Sequence, residues 1–143
     1  MTIRSPQTPT EWDAYYQLRF DVLRRPWGQA PGSEHLPDEA EATHTAAFDT
    51  NGMLLGVGRL QPNSPTQGQI RLVAVSPAAQ GRGVGKALMV YLEAQARQQG
   101  FMEIRLEARQ NAVDFYKAIG YEITAKSYLL FGEIQHWTMR KTV

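Results

Sequence analysis

Apolar positions at helical spacing mark two long segments of this 143-residue chain. Residues 9–25 repeat apolar side chains every three or four positions, which predicts an amphipathic helix. Thr10 followed by Asp13 resembles a capping box at its start, and Pro26 ends it. A second helix is predicted from Val84 to about residue 99, because Val84, Leu88, Tyr91, Leu92 and Ala96 form an apolar stripe.

Other segments alternate apolar and polar residues or are rich in β-branched residues, which is typical of strands. Asn51-Gly52 is a strong turn signal and predicts a hairpin between the first two strands. A short helix is expected at about residues 111–118, ending at Gly120. The predicted strands are residues 43–49, 53–61, 70–75 and 102–108, with two more between 121 and 142.

Nothing in the chain marks a domain boundary, since there is no internal repeat, low-complexity tract or linker. The order of elements is helix, hairpin, strand, glycine turn, helix, strand, helix and strands. We therefore expect one α+β domain over residues 1–143. Residues 26–42 contain five Pro and Gly residues and form a predicted loop long enough to suggest a functional role.

A glycine-rich turn, Gln80-Gly81-Arg82-Gly83-Val84-Gly85-Lys86, lies between a predicted strand and a predicted helix. Helix N-termini have unpaired N–H groups and partial positive charge, so they bind anions. Glycines let the backbone approach a ligand closely, and Arg82 and Lys86 add positive charge. This chemistry indicates a phosphate or diphosphate site.

Two well-known phosphate motifs do not fit this turn. A P-loop needs a glycine five residues before its Gly-Lys pair and Ser or Thr after the lysine, but the chain has Gln80 and Ala87 there. The dinucleotide fingerprint needs a third glycine where the chain has Lys86 or Leu88. Both nucleotide-binding interpretations are excluded.

Gln80–Gly85 instead resembles the Q/R-x-x-G-x-G/A signature of the GNAT superfamily of acetyl-CoA-dependent N-acetyltransferases. The preceding Val73-Ala74-Val75-Ser76-Pro77 is similar to the family's fourth strand. Residues 112–121 resemble the family's A-x-x-x-Y-x-x-x-G-F helix and turn. The likeness is good over residues 43–123 and extends to the two ends only in element order.

This resemblance implies a GNAT acyl-CoA N-acyltransferase fold, a mixed sheet of about six to seven strands flanked by helices. It implies acetyl-CoA as co-substrate and direct acetyl transfer to a primary amine of a small molecule, peptide or protein, without a covalent enzyme intermediate. The residues it assigns to acetyl-CoA are Val73, Ala74, Val75, Gln80, Gly81, Arg82, Gly83, Val84, Gly85 and Lys86. Backbone N–H near Val75 would polarise the thioester carbonyl.

Tyr116 matches the position of the family's general acid, which protonates or stabilises the departing thiolate. From the residues alone, a core aromatic is the simpler interpretation. Arg109 stands where many family members have an asparagine that bonds the cofactor, and it could touch CoA, the acceptor or only solvent. Asn111 lies two residues later as a second cofactor candidate, better placed as a helix cap.

The residues that would recognise and deprotonate the acceptor are less defined. Residues 26–58 have no Lys or Arg but five acidic residues, which form either an acidic wall for a cationic amine or a solubilising loop. Within them, Glu41 or His44 is the candidate base. His136 could face the same cleft. Arg59 and Arg71 on neighbouring strands could bind an acceptor carboxylate instead.

The composition of the chain limits the partners, metal sites and cellular location that we expect. Fifteen Lys and Arg against 14 Asp and Glu leave a net charge of +1, which favours no nucleic-acid or membrane partner. The chain has no cysteine, and its three histidines have no metal-binding spacing, so we expect no metal site. Without a signal peptide or spanning segment, a cytoplasmic protein is expected. Homodimers are common in the family, but no residue here requires one.

Two other functions stay open at this point. A non-catalytic acyl-CoA-binding or sensing domain would share the fold and the glycine turn but would not transfer the acetyl group to any amine. An interaction module would have a purely structural glycine turn and would not bind CoA.

Overall fold

The computed structural model describes all residues, 1–143, as one sheet of seven strands with three α-helices. The elements in chain order are β1 (Thr2–Arg4), α1 (Pro9–Leu23), β2 (Thr43–Phe48), β3 (Leu54–Pro62), β4 (Gln67–Val75), α2 (Val84–Gln98), β5 (Glu103–Arg109), α3 (Val113–Ala118), β6 (Glu122–Leu130) and β7 (Ile134–Thr142). The α+β fold with its mixed sheet confirms the prediction. The longest helices have 15 residues each, and no helix combines the length and hydropathy needed for a membrane crossing.

The strands are ordered β1-β2-β3-β4-β5-β7-β6, and every neighbouring pair is antiparallel except β4 and β5. That parallel pair needs a crossover connection, which α2 supplies. The sheet has a helix on each face because side chains alternate along its strands. Ala46 and Val57 pack with Tyr15 and Leu23 of α1, whereas Ala47 packs with α2.

Close packing of α2 on the sheet depends on a glycine in β3. A Cβ atom at Gly56 would lie 2.9 Å from Cδ1 of Leu88 and 3.0 Å from Cγ1 of Val84. Neither contact leaves room for a side chain, so α2 approaches β3 more closely than any other residue would allow. This contact fixes where the N-terminal end of α2 lies on the sheet.

The start of the chain differs from the sequence prediction in two ways. The cap of α1 is Thr8, not Thr10, because Thr8 Oγ1 accepts from the Glu11 N–H at 3.1 Å and Glu11 Oε1 accepts from the Gln7 N–H at 2.8 Å. The capping box is therefore shifted toward the N-terminus, and Pro9 begins the helix. β1 was not predicted, since its three residues are too few to show alternation.

A buried ion-pair network fastens the loop at residues 28–42 to the rest of the fold. Arg19 of α1 and Arg59 of β3 are both 0% exposed. Glu39 accepts from Arg19 Nη1 at 2.7 Å and also pairs with Arg59, whose Nη2 donates to Asp38 at 2.8 Å. The Glu39 carboxylate thus pairs with two buried guanidinium groups, and Asp38 adds a second carboxylate for Arg59.

We predict that Glu39→Gln lowers the free energy of unfolding by about 3 kcal/mol, because it leaves buried arginine charge uncompensated. Urea unfolding of both proteins measures the difference. Glu41→Gln is the matched control, since Glu41 is exposed and makes no ion pair, and it should change stability by less than about 0.5 kcal/mol. Equal midpoints for Glu39→Gln and wild type would contradict the role of the network.

Candidate active site

The site begins with a gap between the two parallel strands. β4 pairs with β5 only through Gln67–Gln69 and Glu103–Arg105, although both strands continue beyond these residues. A bulge in β4 accompanies the divergence, because Ala74 pairs with Val57 while Arg71 pairs with Arg59. Bulges bend and twist the strand that carries them. The carboxyl ends of β4 and β5 therefore lie apart, with open space between them.

Strain at the bulge falls on a residue that is not glycine. Leu72 has a φ of +58°, in the left-handed region that branched and bulky side chains rarely adopt. Such conformations persist only where the surrounding structure enforces them, and they concentrate at functional sites. The strained residue lies on the wall of the gap.

Backbone groups of β4 face this gap. The Ser76 N–H donates to the Leu55 carbonyl at 2.8 Å, so Ser76 points toward β3. Successive residues of a strand point their N–H and C=O groups to opposite sides, which directs those of Val75 away from β3 and into the gap. A ligand with amide groups can pair with this edge as an added strand does. The backbone of Val75 is therefore open to a ligand in the gap, and the assignment of Val73–Val75 to the cofactor arm stays a prediction.

The glycine turn lies at the carboxyl end of β4 and begins α2. Gly83 is the N-cap, with a φ of +78° and no side-chain cap. The first bond of the helix runs from the Ala87 N–H to the Gly83 carbonyl at 3.0 Å, which leaves the N–H groups of residues 84–86 without helical partners. Arg82 and Lys86 are exposed beside them. These donors and charges form an anion site at one end of the gap.

The helix α3 flanks the same end of the gap. A Cβ atom at Gly85 would lie 3.4 Å from Cζ of Phe115 and 3.7 Å from Cγ2 of Val75, so the glycine turn, β4 and α3 meet there. Asn111 is exposed in the turn before α3 and does not cap it, because the N-cap is Ala112 and no side chain bonds the first turn. The expectation of an Asn111 cap was wrong.

Tyr116 projects from α3 into the gap. Its hydroxyl makes no hydrogen bond, and its ring packs edge-on against Tyr121 at 5.8 Å. Burial raises the pKa of Tyr116 to about 12, although the positive charge of Arg109 opposes the shift. The phenol is protonated at neutral pH and free to donate.

The gap forms a cavity of about 710 Å³, part of which is open to solvent. Residues from α1, α3 and four strands line it, so it reaches through the sheet from one face to the other. Its lining residues are Leu23, Arg24, Ile70, Arg71, Leu72, Val73, Leu106, Glu107, Arg109, Ala112, Tyr116, Tyr128, Leu130 and His136.

The polar lining belongs to the α1 side of the sheet. Leu106 and Ala108 of β5 are buried in the core with α2, so the alternate residues Glu107 and Arg109 face the other way. In the sheet, Glu107 is opposite Thr138 and Arg109 is opposite His136. Because α1 packs on β3 and β4, this polar face of β5 and β7 is not covered by a helix.

His136 has one nitrogen bound and the other free. Its Nδ1 lies 2.9 Å from the Ile134 carbonyl, which can only accept, so Nδ1 carries the proton. Nε2 makes no hydrogen bond and keeps its lone pair in a residue that lines the cavity. Burial lowers the pKa of His136, while the bond to Ile134 opposes the shift. The neutral ring, stacked on Tyr128 at 4.6 Å, is equipped to accept a proton.

Glu107 is the one acidic residue of the lining, and it is already engaged. It accepts from Thr138 Oγ1 at 2.8 Å and from Arg105 Nη2 at 2.8 Å. Burial alone would raise its pKa, but hydrogen bonds from Thr138, Ser127 and Arg105 hold the pKa of Glu107 below its ordinary value. It is therefore an ionised and compensated group rather than a free base.

The predicted bases lie elsewhere. The Nε2 of His44 lies 2.7 Å from the Glu39 carbonyl and its Nδ1 lies 2.8 Å from the Tyr15 hydroxyl, so both nitrogens are occupied inside the α1 core. Burial also lowers the pKa of His44. Glu41 is exposed on the loop, and neither residue lines the cavity. The structure does not bring Glu41 or His44 to Tyr116.

The predicted acidic wall is wrong for its two central members. Asp38 and Glu39 are committed to Arg59 and Arg19, and Arg59 is itself fully buried. Arg59 is therefore no acceptor ligand, whereas its strand neighbour Arg71 lines the cavity. The two arginines were equivalent in sequence, and the tertiary pairing separates them.

Several lining residues were not predicted from the sequence: Arg24, Glu107, Tyr128 and Leu130. Glu107 did carry a signal, because it lies on the polar side of an alternating strand. That alternation could not tell whether the polar side faces solvent or a cavity. Tyr128 and Leu130 lie on an edge strand whose placement depends on its pairing with β7.

A gap between parallel strands, free N–H groups at a helix N-terminus and a free phenol suit a protein that binds an extended ligand with a phosphate group. The family model described as Acetyltransferase (GNAT) family matches residues 12–121. The chain belongs to this family, whose enzymes are N-acetyltransferases that use acetyl-CoA. The resemblance seen in the sequence is confirmed.

Relatives and solved structures agree with this assignment. The chain is 29% identical over 130 residues to the uncharacterized N-acetyltransferase YjcF of Bacillus subtilis (strain 168), covering 90% of each chain. An acyl-CoA N-acyltransferase from Pseudomonas aeruginosa superposes with a TM-score of 0.77 at 27% identity, over 99% of this chain and 97% of that one. An aminoglycoside 6'-N-acetyltransferase complexed with coenzyme A superposes with a TM-score of 0.84 at 19% identity, over the same shares, and shows a shared fold.

Proposed function

We propose that this protein transfers the acetyl group of acetyl-CoA directly to a primary amine of a small molecule or a peptide, within a ternary complex. One observation carries the proposal: a free phenol and a neutral histidine with an open nitrogen line a single cavity, beside a strand that diverges from its neighbour and leaves the Val75 backbone unpaired. These are the groups that an amine and a thioester require in order to react without a covalent enzyme intermediate.

The glycine turn would hold the pyrophosphate of acetyl-CoA through its free N–H groups, with Arg82 and Lys86 adding charge. The backbone groups of Val75, with those of Val73 before it, would bond the pantetheine arm along the edge of β4. Tyr116 packs with the core on the α2 side, where the thioester would arrive. Arg109 points to the α1 side, so we assign it to the acceptor rather than to a CoA phosphate. Asn111 is exposed in the turn before α3, and we assign it no role in holding CoA.

The lining residues account for each proton movement. His136 Nε2 takes the proton of the acceptor ammonium, and the freed amine attacks the thioester carbonyl. The N–H of Val75 stabilises the oxyanion that develops on that carbonyl. As the carbon–sulfur bond breaks, Tyr116 gives its proton to the departing thiolate. The nitrogen of the tetrahedral intermediate gives its second proton to the Tyr116 phenolate, and His136 releases to solvent the proton that it took. The products are an N-acetyl amide, CoA and one proton.

Removing the Tyr116 hydroxyl tests whether this residue is the acid that protonates the departing thiolate. We expect Tyr116→Phe to lower kcat by about 100-fold, because the leaving thiolate loses its acid, with little change in the KM for acetyl-CoA. Release of free thiol with a panel of amines measures the rate. Tyr91→Phe on α2, outside the cavity, is the matched control and should retain wild-type kcat. A wild-type rate in Tyr116→Phe would remove the residue from the mechanism, and no turnover with any amine would favour a CoA-binding sensor.

The role of His136 predicts an acidic limb in the pH profile. Only the neutral imidazole accepts a proton, so kcat/KM should fall as the pH drops through the pKa of His136, which burial places below its ordinary value of about 6.5. Two acceptors whose amines differ in pKa should share this limb. His136→Gln should abolish it and lower kcat by about 100-fold, whereas His35→Gln, which lies outside the cavity, should retain it. A limb that persists in His136→Gln would contradict this assignment.

A further inference from the structure

Three arginines line the acceptor side of the cavity: Arg24 at the end of α1, Arg71 on β4 and Arg109 on β5. We infer that the acetyl acceptor carries an anionic oxyacid group, a carboxylate or a phosphate, in addition to its amine. This inference rests on the proposed function, since it concerns the molecule that enters the cavity opposite acetyl-CoA.

None of the three arginines is in an ion pair. The ten ion pairs of the structure include other arginines but not Arg24, Arg71 or Arg109. Arg24 donates only to two backbone carbonyls, at 3.2 and 3.1 Å, and the guanidinium groups of Arg71 and Arg109 make no hydrogen bond. The guanidinium donors of Arg71 and Arg109, and the remaining donors of Arg24, are free for a ligand.

Arginines with a structural role in this protein have carboxylate partners. Arg19 and Arg59 are buried, and Glu39 and Asp38 neutralise them. The cavity arginines are also partly withdrawn from water, yet no carboxylate is placed beside them in the same way. Planar guanidinium forks bind carboxylate and phosphate oxygens bidentately, so such an anion is the complementary partner.

Charge in the cavity stays positive after all lining groups are counted. Glu107 is the single acidic group of the lining, and Arg105 already pairs with it. His136 is neutral when its pKa is lowered by burial. Three arginine charges therefore face a single carboxylate that is compensated elsewhere. Such a field attracts anions and repels an acceptor whose only charges are positive.

The three arginines share a neighbour in the cavity. Tyr128 lines the cavity with them, and the charge of each arginine opposes the rise in the pKa of Tyr128 that burial causes. Burial lowers the pKa of Arg24, and the positive charges of Arg109, Arg19 and Arg71 lower it further. Two cavity arginines thus contribute to the positive field at Arg24, and a bound anion would reduce that repulsion.

This cluster is separate from the phosphate site of the glycine turn. Arg71 lies opposite Arg59 in the sheet and Arg109 opposite His136, which places both on the α1 side. The glycine turn begins α2, which packs on the other side. The two anion sites therefore belong to the two substrates, one on each side of the gap.

Matched acceptor pairs test the inference in the protein–CoA complex. Calorimetry would compare an amino acid with its carboxamide, O-phosphoethanolamine with ethanolamine, and spermidine as a purely cationic amine. We expect the anionic member of at least one pair to bind tenfold or more tightly than the counterpart that lacks the anionic group, and the two pairs distinguish carboxylate from phosphate. A carboxamide, ethanolamine or spermidine that binds as tightly as both anionic members would overturn the inference.

An arginine variant provides the second arm. Arg71→Gln should weaken binding of the preferred anionic amine about tenfold, while the Kd values for CoA and for the counterpart without the anionic group stay unchanged. Arg97→Gln, an exposed arginine on α2, is the control and should change none of these values. An equal effect of Arg71→Gln on both members would overturn the inference. Because binding is measured without turnover, failure of acetyl transfer is seen separately, in the thiol-release assay.

Discussion

The divergence of β4 from β5 is the constraint on which the rest of the site depends. Two parallel strands that paired along their full length would leave no cavity and no free backbone edge. Here the pairing stops after three residues, and the bulge with strained Leu72 turns β4 away. Because the divergence is at the carboxyl ends, it places the glycine turn, which follows β4, and α3, which follows β5, at the same opening. The proposed cofactor-binding and catalytic groups thus come from consecutive elements that the topology brings together.

A second constraint holds the other wall in place. The end of α1, with Arg24, contributes to the cavity, and the loop that follows α1 has few apolar residues to anchor it. The buried pairing of Arg19, Glu39 and Arg59 ties that loop to α1 and β3 at once. Such networks define a single arrangement more than they add net stability. Asp38 and Glu39 of the loop thus pair with the buried arginines Arg59 and Arg19, whereas the arginines that line the cavity are in no ion pair.

Sequence patterns predicted the elements and the family well, since both depend on local features. Alternation, helical spacing and the Asn51-Gly52 turn identified the strands of the hairpin and α2, and the glycine spacing identified the CoA family. β1 was missed because three residues carry no periodicity.

The residues of the acceptor side could not be predicted from local patterns, because they come from four strands and the end of a helix. Burial and pairing, which are tertiary properties, distinguish His44 from His136 and Arg59 from Arg71. Sequence showed the right residue types without showing which of them share a cavity. The prediction of an acidic wall failed for the same reason, since Asp38 and Glu39 pair with arginines that are distant in the chain.

The central claim is that CoA occupies the gap between β4 and β5, with its phosphates on the start of α2. Hydrogen–deuterium exchange of individual amides, with and without CoA, tests this most directly. The N–H groups of residues 84–86 have no helical partners and that of Val75 points into the gap, so all should exchange readily in the free protein. CoA should slow exchange at both places and leave the β2–β3 turn at Asn51-Gly52 unchanged. Unaltered exchange at Val75 and at residues 84–86 in the presence of saturating CoA would contradict the account.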